Sequence, residues 1–238
     1  MRKIFIIAHR GFSLISPENT IASFKKAIEA GVDFIETDLR ATSDGIIVCM
    51  HDPTLDRTTS GAGFVSTHSY REITSLDAGS WFSPQFKGEH VPRLEELLDL
   101  AAGKVGLALE IKTPGIEEEV IEDVEKWGIE DEVIILSSHW VVLGKVKSLN
   151  PRITTLADLP IPSKESLRAA LSHGANIVSI HKAMLERDFV RYAHRRGVLV
   201  NVWPVNTEKE VQAALDAEID FITTDDPLTV SKLVKQRR

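Results

Sequence analysis

A short β-rich run followed by an amphipathic helical stretch recurs eight times along this chain, and few folds accommodate that rhythm. The strand candidates are residues 4–8, 33–39, 106–111, 133–138, 152–157, 176–180, 198–203 and 221–224. The stretches between them carry helix punctuation. In the first, Ile21, Phe24 and Ile28 fall on one face, Lys25, Lys26 and Glu29 point away, and Gly31 closes the run. Gly103, Gly128, Gly174 and Gly197 stop four later helices in the same way. Residues 207–210 (TEKE) spell a capping box, and Pro227 after Asp226 suits a first helical position. Eight such units in 238 residues is the arithmetic of an α/β fold of the TIM (β/α)8 barrel type. A doubly wound open sheet rarely needs so many regular units and usually brings a Gly-rich phosphate turn, which is absent here.

One stretch breaks the rhythm. Residues 53–90 are rich in Ser, Thr and Gly and contain Tyr70, Trp81, Phe82 and Phe86. A segment that long with no barrel unit, but with aromatics able to pack, reads as a functional insertion. The neighbours Ser80, Ser83 and Gln85 favour packing over a membrane wedge for those aromatics. The bulk properties exclude several partner classes. With a formal net charge of -7 and no basic patch, nucleic acid is not an expected partner. Lys235, Arg237 and Arg238 read as a solvated helix end. The single cysteine, Cys49, forbids an internal disulfide. The first apolar run is too short for a secretory signal, and no segment has the length to span a bilayer. The expectation is a cytoplasmic protein without stable membrane association; the sequence assigns it no oligomeric state.

The polar residues fall at the strand ends, which in a barrel form the active face. The first strand finishes in His9-Arg10, and the second carries Glu36 and Asp38, two apart and therefore on one side. A turn at Ser43-Asp44-Gly45 leads to a second extended run that ends in His51-Asp52. The third strand finishes with Glu110 and Lys112, the seventh with Trp203 and the eighth with Asp225-Asp226. Carboxylates as close as Glu36, Asp38 and Glu110 cannot all stay ionised without a cation. A hard divalent ion resolves the conflict, which favours Mg²⁺, Ca²⁺ or Mn²⁺ over zinc. His9 and His51 can exchange protons near neutral pH, and Arg10 and Lys112 supply fixed positive charge. That combination suits a phosphodiester, which an acidic protein would otherwise repel. His173 and His194 sit toward helix ends, where the dipole is explanation enough. His68 and His90 read as exposed, whereas His139 and His181 follow strands and suit either a structural or a site role.

The segments HRG, PENT, ETD, HDPTLDRTT, DAGSWF, VPRLEELL, LEIK, WPVN and TTDDP, in that order from residue 9 to residue 227, resemble the signatures of the glycerophosphodiester phosphodiesterases. The resemblance implies a TIM barrel with a small subdomain inserted at about residues 52–91, in one unit spanning 1–238. It implies hydrolysis of small-molecule glycerophosphodiesters to sn-glycerol 3-phosphate and an alcohol, with one divalent cation as cofactor. On matching positions it makes Glu36, Asp38 and Glu110 metal ligands, His9 and His51 the acid/base pair, Arg10 and Lys112 phosphate contacts, and Trp203 a wall for the glycerol. Two positions depart from the pattern: no aromatic follows the serine in SSHW, and Arg93 replaces a small residue. The nucleophile is water or the glycerol's own hydroxyl, and either histidine can serve as base. The runner-up on the same fold is a lysophospholipase D or an inositol-lipid phospholipase C, which needs an apolar rim. An amidohydrolase would need histidine where Arg10-Gly11 stand. A non-catalytic binding module would tolerate losing a ligand or histidine, and none is lost.

Overall fold

The computed structural model describes residues 3–236. The chain begins β1 (Phe5–Ala8), α1 (Ile21–Glu29), β2 (Phe34–Ala41) and β3 (Ile47–Cys49), followed by α2 (Tyr70–Thr74) and α3 (Leu94–Ala101). A regular alternation then follows: β4 (Gly106–Ile111), α4 (Glu117–Trp127), β5 (Val133–Ser137), α5 (Trp140–Leu149), β6 (Thr154–Asp158) and α6 (Lys164–Ser172). It closes with β7 (Ile177–His181), α7 (Arg187–His194), β8 (Leu199–Trp203), α8 (Glu208–Asp216), β9 (Phe221–Thr224) and α9 (Pro227–Gln236). All strands except β3 are parallel. β1 pairs with β9 on one side and β2 on the other, which closes the circle. The fold is a TIM (β/α)8 barrel. The eight strands read from the sequence agree with the observed ones to within two residues at either end.

Local sequence explains the boundaries. Thr207 and Glu210 form the reciprocal capping box at the start of α8, and Thr20 with Ser23 does the same for α1. Gly128 ends α4 in the left-handed region, with φ 65°. β3 is an extra, antiparallel strand, formed because the Asp44-Gly45 turn folds the chain back along β2. Between β3 and α3 the chain builds a small apolar cluster of its own, with Leu55, Val65, Ile73 and Val91 packed on Val48 and Met50. Trp81, Phe82 and Phe86 meet edge to face at centroid separations of 5.7 Å, and Trp81 stays 41% exposed.

The barrel interior explains why the strands change character along their length. Residues two apart share a face, so each strand sends one row inward. The rows start apolar: Phe5, Phe34 and Phe221 plug the amino end, with Phe5 and Phe221 stacked at 5.0 Å. Above them lie Ile7, Ala108, Ile134, Leu156 and Ile177. Continuing two by two, the same rows reach His9, Glu36, Glu110, Asp158, Ser179, Asn201 and Thr223, all lining one cleft. The outward rows, Ile35, Leu39, Leu107 and Leu109 among them, pack under the helices.

Some surface readings change. His68 and His90 are half-buried rather than exposed: His68 meets the Phe64 carbonyl, and His90 pairs with Glu96 at 3.0 Å. His194 is held by Asp220 at 2.9 Å, a side-chain partner 26 residues away, as well as by its helix end. His173 meets local carbonyl and hydroxyl groups at the end of α6 and packs beside Trp140 at a ring separation of 6.2 Å. Lys235 is exposed in the last turn of α9, while Arg237 and Arg238 lie outside the described residues. Among the described residues no helix is long and apolar enough to cross a membrane.

Phe24 is fully buried in the layer between α1 and the barrel. Phe24→Ala is expected to cost about 3–5 kcal/mol of unfolding free energy by urea titration, whereas Leu149→Ala, on an exposed helix end, should cost well under about 1 kcal/mol.

Candidate active site

A cleft opens at the carboxyl end of the barrel. His9, Arg10, Glu36, His51, Glu110, Lys112 and Trp203 line it, and Asp38 lies beneath. The structure therefore brings together all eight residues that the resemblance assigns to the site, Glu36, Asp38, Glu110, His9, His51, Arg10, Lys112 and Trp203.

At its centre Glu36, Asp38 and Glu110 each present an oxygen within 4.8 Å of the others. β2 and β4 are paired with Asp38 opposite Glu110, so adjacent strands deliver all of them to one spot. Burial and then the charge of Asp38 push the Glu36 carboxyl up. Burial also raises Glu110, with Lys112 opposing and the other two carboxylates adding to the rise. Asp38 goes down despite burial, because Lys112 and Arg10 lie beside it. Lys112 Nζ bridges Asp38 at 2.9 Å and Glu110 at 2.7 Å. Three oxygen donors that cannot all ionise on the protein's own charges form a set one hard divalent cation could share.

The first loop is built around that cluster. Arg10 and Gly11 are both left-handed, with φ 55° and 80°, which turns the Arg10 N–H onto Glu36 at 2.8 Å. Positive φ on a non-glycine residue is strain of the kind stored at functional sites. Glycine is required next to it, since a Cβ there would sit 2.7 Å from the Ser23 backbone carbon. The Arg10 guanidinium lies 3.3 Å from Asp38 and donates to Glu18 at 2.8 Å. Asn19, also left-handed, donates to Asp38 at 2.8 Å and accepts from Thr37 at 2.7 Å.

Each cleft histidine has an aspartate behind it. His9 Nδ1 lies 2.7 Å from Asp225, and His51 Nδ1 lies 2.7 Å from Asp52. An aspartate acceptor fixes the proton on Nδ1 and leaves Nε2 as the atom that can exchange one. The rings nonetheless differ. Burial works against charge on His9, but the Asp225 hydrogen bond and the charge of Glu36 raise it above the ordinary value. Burial wins at His51, where Arg10 and Lys112 add to it, and its value is lowered. Arg57 donates to Asp52 at 2.7 and 2.9 Å and to Glu18 at 2.8 Å, so alternating charges run from His51 to Arg10. Arg40 fixes the His51 carbonyl at 2.6 and 2.9 Å.

Sequence reasoning did not assign Asn19, Asp52, Arg57 or Asp225 a role, although their segments PENT, HDPTLDRTT and TTDDP carried the resemblance. A second acidic residue directly after His51 was the available signal; nothing local marks Asp225 as the partner of a residue 216 positions away. Of the two undecided histidines, His181 packs edge-on to Trp203 at 5.5 Å, while His139 is exposed and away from the cleft lining. Cys49 is buried, which pushes its thiol up to about 12 and leaves it unreactive.

Residues 9–229 match the glycerophosphoryl diester phosphodiesterase family. A glycerophosphodiester phosphodiesterase of Caldanaerobacter subterraneus subsp. tengcongensis is 38% identical over 98% of this chain and 99% of its own. One from Bacillus subtilis is 34% identical over 98% of this chain and 87% of its own. Among solved structures, an Oleispira antarctica phosphodiesterase in complex with the product sn-glycerol-3-phosphate superposes with TM-score 0.92. It is 28% identical and covers 97% of this chain and 96% of its own.

Gly11→Ala must move either Ser23 or the loop that aims Arg10 at Glu36. Turnover should fall by roughly 10²-fold, as an ångström-scale misplacement costs. Circular dichroism should still report the barrel, so an active Gly11→Ala enzyme would separate the loop's geometry from the chemistry.

Proposed function

Because the chain belongs to the glycerophosphoryl diester phosphodiesterase family and is a phosphoric diester hydrolase, we propose that its cleft cleaves glycerophosphodiesters to sn-glycerol 3-phosphate and an alcohol by metal-assisted acid/base chemistry. The observation that carries this reading is the pair of His–Asp couples facing one carboxylate cluster in a single cleft. In it, residues 1–238 act as one unit with an inserted subdomain at about 52–91.

Glu36, Asp38 and Glu110 would hold one divalent cation, Mg²⁺, Ca²⁺ or Mn²⁺, whose all-oxygen donor set suits those ions better than zinc. When bound, the ion would act as a Lewis acid toward a phosphoryl oxygen. Arg10 and Lys112 supply the remaining positive charge, and Trp203 walls the glyceryl group. Between the two histidine pKa values His51 is neutral and His9 is protonated. His51 then accepts the proton of the nucleophile, water or the glyceryl hydroxyl, and His9 donates to the leaving oxygen. Attack by the glyceryl hydroxyl gives a cyclic phosphate first, which water opens.

Glu110→Gln is expected to abolish turnover and weaken metal binding measured by calorimetry, since an amide cannot replace a ligand's charge. Full activity after chelation would remove the metal from the mechanism.

The pH profile of kcat/KM should be bell-shaped, rising through the lowered pKa of His51 below 6.5 and falling through the raised pKa of His9 above it. Asp225→Asn removes support for protonated His9 and should pull the alkaline limb down. Asp52→Asn should pull the acid limb down. His9→Ala and His51→Ala should each lose roughly 10²–10⁴-fold in kcat, and His173→Ala very little. Limbs that ignore both aspartate variants would exclude this pair.

One observation favours the acyl-chain reading. Of the eight large apolar side chains exposed among the described residues, Leu14 and Ile15 lie in the loop after β1, Ile161 in the loop after β6, and Phe64 and Trp81 in the segment between β3 and α3. Glycerophosphocholine should nevertheless be cleaved faster than lysophosphatidylcholine, and bis-p-nitrophenyl phosphate poorly. The reverse order would make that rim an acyl-chain site.

A further inference from the structure

His9 is oriented by a series of contacts that begins outside the cleft. Its Nδ1 lies 2.7 Å from Asp225 Oδ1, and Ser13 Oγ donates to the same oxygen at 3.3 Å. The other oxygen, Oδ2, accepts from the side-chain amide of Asn206 at 2.6 Å. Among the described residues no lysine or arginine pairs with Asp225. Asp52, behind His51, is by contrast gripped through both oxygens by the Arg57 guanidinium. Although burial opposes it, contacts to His9, Asn206 and Ser13 take the Asp225 carboxyl down to about 2, so the group held there is a carboxylate.

The Asn206 amide has one orientation available. Its Oδ1 accepts from the Asp225 N–H and from Thr224 Oγ1, each at 2.9 Å, which leaves the NH2 end facing the carboxylate. Reversing the amide would set its oxygen against Asp225 and its NH2 against an N–H donor. The backbone is tied as well: the Asn206 N–H donates to Glu210 at 2.8 Å, and Glu210 accepts from Lys182 at 2.6 Å. Consecutive polar contacts thus link the segments after β7, β8 and β9 to the end of β1. Asn206 closes the WPVN segment, whose Trp203 lines the cleft, but Asn206 itself lies behind Asp225 and outside that lining.

We propose that Asn206 is a positioning residue for the reaction: its amide fixes the Asp225 carboxylate, which keeps His9 Nε2 aimed into the cleft. A carboxylate hydrogen-bonded through one oxygen alone can swing about its Cβ–Cγ bond, a broad torsion, and draws the imidazole with it. With Oδ2 anchored as well, that rotation is closed. A displacement of about an ångström at Nε2 is the scale on which catalysis is lost, because proton transfer needs hydrogen-bond reach. This rests on the glycerophosphodiester reading above. Asn206 acts only through Asp225 and His9, so its removal should matter only while His9 is present.

Two substrates and a double variant test this. With Mg²⁺ present, kcat and KM are measured for glycerophosphocholine, whose alkoxide must be protonated as it leaves. The glycerophosphoryl ester of p-nitrophenol, whose phenolate leaves without a proton, is measured beside it. Asn206→Ala removes the amide; Asn206→Asp keeps its shape and acceptor oxygen and replaces only the donor, which covers an alanine variant that folds poorly. Each should lower kcat for glycerophosphocholine roughly 10²-fold with KM little changed, and slow the nitrophenyl ester only a few-fold. Introduced into His9→Ala, either should cause no further loss. In magnetic-resonance spectra of isotope-labelled histidine, the downfield Nδ1 proton signal that His9→Ala removes should be lost from both Asn206 variants. Equal losses with and without His9, or an unchanged His9 signal in both variants, would overturn the inference. If both substrates slowed equally while the double variant lost nothing further, Asn206 would still act through His9, and the acid role given to His9 above would fail instead. If no glycerophosphodiester were turned over yet the His9 signal depended on Asn206, the reaction assigned above would fail and the positioning would stand.

Discussion

Mutual repulsion among Glu36, Asp38 and Glu110 is the constraint around which the rest of the molecule is arranged. Their oxygens lie within 4.8 Å of one another in a nearly solvent-free layer of the barrel. Burying an ion costs several kcal/mol, and like charges add to that. The chain answers with Lys112 between Asp38 and Glu110, the Arg10 guanidinium against Asp38, the Arg10 backbone N–H on Glu36, and the Asn19 amide on Asp38. The left-handed conformations of Arg10, Gly11 and Asn19 follow from the need to aim those donors inward from one short loop.

The same strands serve stability and chemistry by dividing the labour along their length. Each inward row begins with bulky apolar groups, such as the phenylalanine plug, and ends in groups that titrate or donate. The segment between β3 and α3 is tied into this arrangement by charge. Arg57 reaches back to Asp52 and Glu18, which in turn hold His51 and Arg10. Removing that segment would therefore disturb both ends of the row that lines the cleft, even though its own apolar cluster is separate from the barrel's.

The strands were legible because parallel barrel strands are buried on both faces and read as apolar runs bounded by glycine. The carboxylate cluster was legible for a related reason. Glu36 and Asp38 are two apart on one strand, and Glu110 ends the next strand of the barrel, so period-two geometry alone places them near each other. His9 and His51 could be read from their positions at strand ends. Their partners were less accessible: Asp52 is adjacent to His51, but Asp225 meets His9 only because β9 closes the barrel against β1. His68, His90 and His194 were misjudged for the same reason. Their surroundings are set by Phe64, Glu96 and Asp220, contacts that composition and local spacing do not encode.

By itself, then, the sequence determined the barrel, the position of each polar strand end and the identity of the charged cluster, because these depend on periodicities of two and 3.6 residues that are written locally. Only the tertiary structure decided which aspartate stands behind which histidine, and in which direction burial and neighbouring charge move each pKa. Those properties depend on distances between strands brought together by closure of the barrel, and electrostatic interaction and desolvation are functions of those distances, not of separation along the chain.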